Sequence, residues 1–213
     1  MKKHNIRRFD GAALKDRLAQ RALDIDPAAA RATEAHVRLL ARRLGILNDQ
    51  IAEATAQLEA FLDRLGNADP EPGAGDAPGQ EEEQRDVAIL LSMPGVGAVV
   101  AATLFAEAYD ALRRRDYHAL RCRSGVAPVT RQSGRRLTVT RRLAAHGRLR
   151  DAVYHWARVA VQHAPACRAR YDALRGRGHG HARSLRSVAD GLLNVACAML
   201  RDGTMFDPEA AAA

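Results

Sequence analysis

Aromatic residues and long apolar runs are scarce in this sequence. Aromatic side chains make up 4% of its 213 residues, and hydrophobic residues make up 47%. Abundant alanine, leucine and arginine favour a mainly helical fold. No apolar run approaches the ~20 residues of a membrane span, and residues 1–30 lack the apolar core of a secretion signal. We therefore expect a cytoplasmic protein with no membrane partner.

Cysteine is also sparse. Cys122, Cys167 and Cys197 are odd in number, widely separated and form no CxxC pair. This pattern indicates neither a disulfide framework nor a zinc site. The eight histidines show no convincing ligand spacing, and solvated or phosphate-facing histidines explain them better. The sequence predicts no metal site in this chain.

Acidic residues are nearly absent from one long stretch. From Arg113 to Arg186 there are 19 arginines, no lysine and three acids (Asp116, Asp151 and Asp172), a net charge of +16, whereas the whole chain carries +8. Positive charge concentrated in one region indicates a polyanionic partner, and the planar guanidinium fork suits phosphate.

An apolar heptad repeat predicts a long coiled-coil helix over residues 33–65. Its seam consists of Val37, Leu40, Leu44, Leu47, Ile51, Ala54, Leu58, Phe61 and Leu65. Spacings of three and four place these residues on one helix face. The helix either docks on its own domain or pairs with a second protomer, and we prefer the oligomer.

The rest of the chain divides by composition. We predict an N-terminal extension (1–32), a flexible linker rich in glycine, proline and acids (66–86), a helical C-terminal domain (87–208) and a disordered tail (209–213).

A tight turn, Met93-Pro94-Gly95-Val96-Gly97, separates two apolar segments with helical spacing. The pattern predicts a helix-hairpin-helix. Free N–H groups at the start of its second helix would favour a nucleic-acid phosphate. The candidate binding residues are Gly95, Val96, Gly97 and Ala98. The alternative is a Pro-Gly turn between two core helices.

Ser133 lies in a basic loop that could carry chemistry. Residues 137–140 alternate as a short strand would, so Ser133-Gly134 is expected at the tip of a small hairpin. Seven arginines and no acid lie nearby: Arg131, Arg135, Arg136, Arg141, Arg142, Arg148 and Arg150. They would bind nucleic acid and stabilise the extra charge of a phosphate under attack.

The residues alone leave the role of Ser133 open. It is either a nucleophile or a serine that is solvated or hydrogen-bonded to phosphate. His146 is a candidate general base if the loop folds back. The tyrosines Tyr109, Tyr117, Tyr154 and Tyr171 are competing nucleophiles, although packing in helices explains them more simply.

These segments together resemble a known family. The runs LLSMPGVGAVVAATLFAEA, ALRCRSGVAPVTRQSG and RLRDAVYHWARVAVQHAP are similar to the C-terminal domain of the IS110 class of insertion-sequence transposases, relatives of the Piv and MooV DNA invertases. The resemblance extends over roughly residues 87–208. It implies DNA recombination with Ser133 as the catalytic serine, protomers joined through the coiled coil and, in some members, a bound guide RNA.

The chain departs from this family at its N-terminal side. Complete members carry a RuvC-like nuclease domain with four metal-binding acids, where magnesium is expected. Residues 1–36 are too short for such a fold. The resemblance therefore implies a truncated transposase with no cofactor of its own, inactive without a RuvC-like partner. The alternative is a non-catalytic, oligomerising module that binds DNA or RNA.

Overall fold

The computed structural model describes residues 15–16, 19, 26–67 and 80–208. Over these residues the main elements are helices and one antiparallel hairpin: α1 (Pro27–Asn67), α2 (Gln80–Ser92), α3 (Ala98–Arg113), α4 (Tyr117–Arg123), β1 (Val129–Ser133), β2 (Arg136–Thr140), α5 (Gly147–His163), α6 (Pro165–Gly176) and α7 (His181–Asp202). The predicted mainly α class, with a short β-hairpin, is confirmed. None of the described helices is long and apolar enough to span a membrane.

Helix α1 begins at Pro27, earlier than the heptad pattern indicates. The carboxylate of Asp26 accepts hydrogen bonds from the N–H groups of Ala28 and Ala29, both at 3.0 Å. An aspartate cap followed by proline is a favourable helix start. Most of the predicted N-terminal extension, and the tail 209–213, lie outside the described residues.

The chain divides into two compact units, Met1–Ala52 and Glu53–Ala213. In the first unit the apolar seam of α1 is exposed; its members are Val37, Leu40, Leu44, Leu47 and Ile51. In the second unit Leu58 and Leu65 pack against the core, and Leu62 is buried. Phe61, which the heptad places on the seam, is instead 50% exposed. The packed stripe here follows the i, i+4, i+7 spacing of a helix docked on a globular domain.

The predicted linker is shorter than its composition indicates. Gly66 and Asn67 end α1, and α2 begins at Gln80, so residues 80–86 are helical; residues 68–79 lie outside the described residues. Glu82 and Glu83 favour the helix start because they complement the positive end of the helix dipole. Asp86 is buried and accepts a hydrogen bond from Arg115 at 2.9 Å.

Helices α5 and α7 supply much of the core. The apolar face of α5 is buried: Leu149, Val153, Trp156, Ala157 and Ala160. On α7 an apolar stripe of Leu185, Val188, Leu192, Cys197 and Leu200 is buried, whereas Val195 is 41% exposed. The buried face of α7 passes through Leu192, Ala196 and Met199, and this i, i+4, i+7 path leaves Val195 at its edge. The helix ends before Gly203, whose backbone has the left-handed conformation common after helix ends.

The turn between α2 and α3 packs on the backbone of α5. Gly95 has φ +83°, and a β-carbon there would lie 2.8 Å from the nitrogen of Ala160 and 3.0 Å from the oxygen of Trp156. Met93 and Val96 on either side are buried. This supports the interpretation as a turn between two core helices.

Strands β1 and β2 form the predicted hairpin. Val129 pairs with Thr140 at its base, and Ser133 pairs with Arg136 at its end. Gly134 and Arg135 form the connecting turn, where Gly134 has φ +57°. Glycine adopts this conformation without steric cost.

Candidate nucleic-acid interface

Ser133 is the last residue of β1 and is exposed to solvent. Since successive strand residues point to opposite faces, Ser133 shares one face of the hairpin with Arg131 and Arg136. All three side chains are exposed. The register therefore places the serine on the same face as two arginines, with the turn glycine next in the chain.

The opposite face of the hairpin is apolar. Leu137 and Val139 lie on it and are 62% and 59% exposed. At the free end of the hairpin neither face is covered by another described element, since every residue from 130 to 137 is exposed. The serine is therefore presented on a projecting element.

The remaining predicted arginines occupy different surroundings. Arg148 contacts Glu107 at 3.4 Å, and Arg150 contacts Asp151 at 3.0 Å. Arg141 lines two cavities at the base of the hairpin. Arg142 is half-buried, and its Nε has no hydrogen-bond partner among the described residues. The structure thus places Arg131, Arg135 and Arg136 with Ser133 on the hairpin, and the other four arginines outside its two strands.

His146 does not contact the hairpin in the way a loop folding back would require. Its Nε2 lies 3.3 Å from a carboxylate oxygen of Glu107 on α3. The main-chain N–H of His146 donates to the main-chain oxygen of Arg123 on α4 at 2.8 Å. His146 thereby fixes the start of α5, and its role as general base stays a prediction.

The helix-hairpin-helix offers fewer free N–H groups than its sequence indicates. The N–H of Val96 donates to the oxygen of Met93 at 3.2 Å, so this donor is used inside the turn. Gly97 precedes α3 and is exposed, and Ala98 begins the helix. Of the N–H groups of Val96, Gly97 and Ala98, only the last two lie where an α-helix lacks internal acceptors.

The tyrosines lie in helices, as the packing interpretation predicts. The Tyr117 hydroxyl donates to Asp190 at 2.8 Å. The pKa of Tyr117 is raised, mainly by burial and secondly by this hydrogen bond. The Tyr109 hydroxyl donates to Glu83, and that bond raises the pKa of Tyr109. Both surroundings disfavour the phenolate that a tyrosine nucleophile requires.

The sequence interpretation missed two arginines of α7. Arg183 and Arg186 line a cavity together with Arg141. Their spacing of three residues could have indicated a shared role, because it places both on one face at the start of an amphipathic helix. Nothing local in the sequence indicates that this face meets Arg141.

Among the described residues, no three histidine, cysteine, aspartate or glutamate side chains are placed to hold a metal ion. The cysteines Cys122, Cys167 and Cys197 are free thiols.

Fold and site define an arginine-rich helical domain that presents a serine on a projecting hairpin. Residues 87–172 match the model of the Transposase IS116/IS110/IS902 family. The family resemblance predicted from the sequence is confirmed.

Relatives match the same C-terminal region. The chain is 37% identical over 130 residues to the "Mini-circle putative transposase for IS117" of Streptomyces coelicolor, covering 61% of this chain and 31% of the relative. It is 35% identical over 144 residues to an uncharacterized 42 kDa protein of insertion element IS900 from Mycobacterium paratuberculosis, covering 66% and 36%. It is 34% identical over 122 residues to an uncharacterized 43.6 kDa protein of IS110 from Streptomyces coelicolor, covering 56% and 30%. The chain thus spans about a third of the length of these relatives.

Proposed function

We propose that this chain is the serine-bearing, DNA-binding part of a transposase, in which Ser133 attacks a phosphodiester of DNA. The observation that carries the proposal is the exposure of Ser133 on the hairpin face that it shares with Arg131 and Arg136. The transposase family match over residues 87–172 supports the same class of reaction.

In the proposed step, Oγ of Ser133 forms a bond to phosphorus. The bond from phosphorus to one sugar oxygen breaks, and that oxygen takes up a proton. The hydroxyl proton of the serine passes to a base outside the hairpin. The guanidinium groups of Arg131 and Arg136 stabilise the charge that builds up on the phosphate oxygens.

The family resemblance implies magnesium in a RuvC-like domain. The described residues do not fit such a site, because no cluster of acids is placed to bind a metal. The acids nearest the basic region are already paired: Asp190 with Arg121, and Glu107 with Arg148. No step is assigned to a metal in this chain.

The family resemblance adds two partners to the proposal, a second protomer and a guide RNA. A second protomer would cover the exposed apolar seam of α1, since coiled coils bury such seams. A guide RNA would occupy part of the basic surface.

Covalent capture on a nicked suicide DNA substrate tests the nucleophile. A RuvC-like half from a complete relative is supplied in trans. The wild-type chain is compared with Ser133→Ala, and Thr130→Ala serves as control because it removes a hydroxyl from the opposite face of the same strand. We expect a protein–DNA adduct with wild type and Thr130→Ala, and none with Ser133→Ala.

Two results would count against the proposed chemistry. An adduct that persists in Ser133→Ala would assign the attack to another residue. The other is a lack of adduct in every variant, although the same preparations bind DNA in a salt-dependent manner. That result would leave a non-catalytic nucleic-acid-binding module, a function also compatible with a chain that spans a third of its relatives.

A further inference from the structure

Two adjoining cavities form a cleft at the base of the hairpin. They have volumes of about 270 Å³ and 300 Å³. Gly125, Val126, Arg141 and Arg186 line both of them. We call the two cavities together the arginine cleft. Its walls come from the turn after α4, the end of β2, and helices α5 and α7.

The charge of the arginine cleft is not balanced. Arg141, Arg183 and Arg186 line it, and none of them forms an ion pair with any acid in the part of the chain that the structure describes. Burial, together with the charges of Arg141 and Arg183, lowers the pKa of Arg186. Three guanidinium groups held together in this way repel one another unless an anion lies between them.

The two acids of the cleft are committed to other partners. Asp190 accepts from Nε and Nη2 of Arg121 at 3.0 and 2.8 Å, and from the Tyr117 hydroxyl at 2.8 Å. Asp151 accepts from Arg150 at 3.0 Å. These bonds leave the three arginines as unpaired donors that face the cavity.

The backbone holds the cleft in shape. Gly125 has φ +71°, and a β-carbon at this position would lie 2.7 Å from Cβ of Ala145. The Ser187 hydroxyl donates to the oxygen of Arg183 at 3.2 Å. These contacts fix the backbone that carries Arg183 and the turn that lines the cleft.

We infer that the arginine cleft binds one backbone phosphate of the DNA on which Ser133 acts, through Arg141, Arg183 and Arg186. This inference rests on the proposed function for its choice of DNA. Planar guanidinium groups offer paired N–H donors that match phosphate oxygens. The cleft is thus a second contact, formed by α7, that is distinct from the arginines of the hairpin.

The hairpin sets the distance between the two contacts. Val139 and Thr140 of β2 line the cleft, and Arg136, paired with Ser133, begins the same strand. Arg136 and Thr140 are separated by four strand rises of roughly 3.4 Å, or about 14 Å. That length corresponds to about four base-pair steps of B-form DNA. A short duplex can therefore reach the serine and the cleft together.

The test compares two double variants of equal charge in the full chain. Arg183→Gln/Arg186→Gln removes two donors of the cleft. Arg64→Gln/Arg201→Gln removes two exposed arginines that lie outside the basic stretch. Binding of a fluorescent 20-base-pair duplex is measured by anisotropy from 50 to 300 mM NaCl. We expect the cleft variant to bind about tenfold more weakly, with a log–log salt slope reduced by about one, as for one lost phosphate contact. The control should keep the wild-type slope.

Two further measurements distinguish DNA from RNA and from free phosphate as the ligand of the arginine cleft. An RNA duplex of the same sequence replaces DNA in a second series. Inorganic phosphate is compared with chloride at equal ionic strength for its effect on the thermal midpoint of wild type and cleft variant. Without ligand, the cleft variant should melt no lower than wild type, because it relieves repulsion between like charges.

Each opposing outcome has a definite meaning. Equal DNA affinity and salt slope in the two double variants would overturn the cleft assignment and leave the proposed function intact. A requirement of the cleft for RNA alone, or a phosphate effect without any DNA effect, would also overturn it. A wild-type chain that binds no DNA would contradict both the inference and the proposed function.

Discussion

The indole Nε1–H of Trp156 donates a hydrogen bond to the main-chain oxygen of Pro94 at 3.0 Å, across 62 residues of sequence. Trp156 is fully buried on α5, and Pro94 lies in the turn between α2 and α3. This bond joins the helix-hairpin-helix to the helix that follows the β-hairpin. The contact makes the turn a packing element of the core.

Replacing Trp156 with phenylalanine should reveal the energetic value of this contact. The substitution removes part of the ring volume and leaves the Pro94 oxygen without its donor. We expect the free energy of unfolding to fall by about 2–4 kcal/mol. Urea denaturation followed by far-ultraviolet circular dichroism measures it. Tyr154→Phe on the same helix is the control and should change stability by less than about 1 kcal/mol. Equal effects of the two variants would contradict this role for the hydrogen bond.

The two glycines of the turn should respond differently to alanine. Gly95→Ala combines a positive φ with a backbone contact at 2.8 Å. We expect it to cost about 2 kcal/mol or more. Gly97 has φ −105°, and nothing lies within 4 Å of a β-carbon there. Gly97→Ala should therefore cost less than about 1 kcal/mol. Thermal denaturation of both variants decides the matter, and similar midpoints would refute the tight packing of Gly95 on α5.

Cys197 should react slowly and make stability depend on alkaline pH. Burial raises the pKa of this thiol from 9.0 to about 11. A thiol whose pKa is raised in the folded state stabilises the fold below pH 9. This contribution is lost as the pH rises from about 9 through about 11, at roughly 1.4 kcal/mol per pH unit. Urea denaturation at pH 8 and pH 10, compared with Cys197→Ala, should show a steeper loss in the wild type.

Thiol labelling provides an independent measurement. At pH 8 the native chain should label rapidly at half-exposed Cys122, and at Cys197 only as it unfolds. Rapid modification of Cys197 in the native chain, located by mass spectrometry, would show that its surroundings are open.

Helix α1 should mediate association if its seam pairs with a second copy. Leu44 and Leu47 lie on the seam and are 60% and 51% exposed. Leu44→Glu/Leu47→Glu should lower the molar mass measured by light scattering after size-exclusion chromatography, because charges disrupt an apolar seam. Leu39→Glu is the control, since Leu39 is equally exposed but lies off the seam. A wild-type monomer would exclude pairing through this face.

Features set by local pattern could be predicted from the sequence. Alternation over residues 137–140, with a glycine after Ser133, was sufficient to predict the hairpin and its tip. The apolar period of α5 identified its buried face, including Trp156. In both cases the side-chain period itself carries the information.

Features set by tertiary contacts could not be predicted in this way. The N–H of Val96 is used within a turn whose shape depends on α5. Arg141 and Arg186 meet because α7 packs beside the turn after α4, although 45 positions separate them in the sequence. The role of Ser133 rests on family resemblance, because an exposed hydroxyl among arginines suits either nucleophile or phosphate donor.

The projecting hairpin has a kinetic consequence for Ser133, the proposed nucleophile. A two-stranded ribbon with both faces in solvent is held by little besides its own ladder, and such ribbons are marginally stable in water. Its amides should exchange with deuterium faster than those of α5 and α7. Docking on a substrate then orders the ribbon, and this ordering opposes part of the binding energy. Ser133 would consequently acquire its reactive geometry only when a substrate is bound, which protects unrelated DNA from attack during brief encounters.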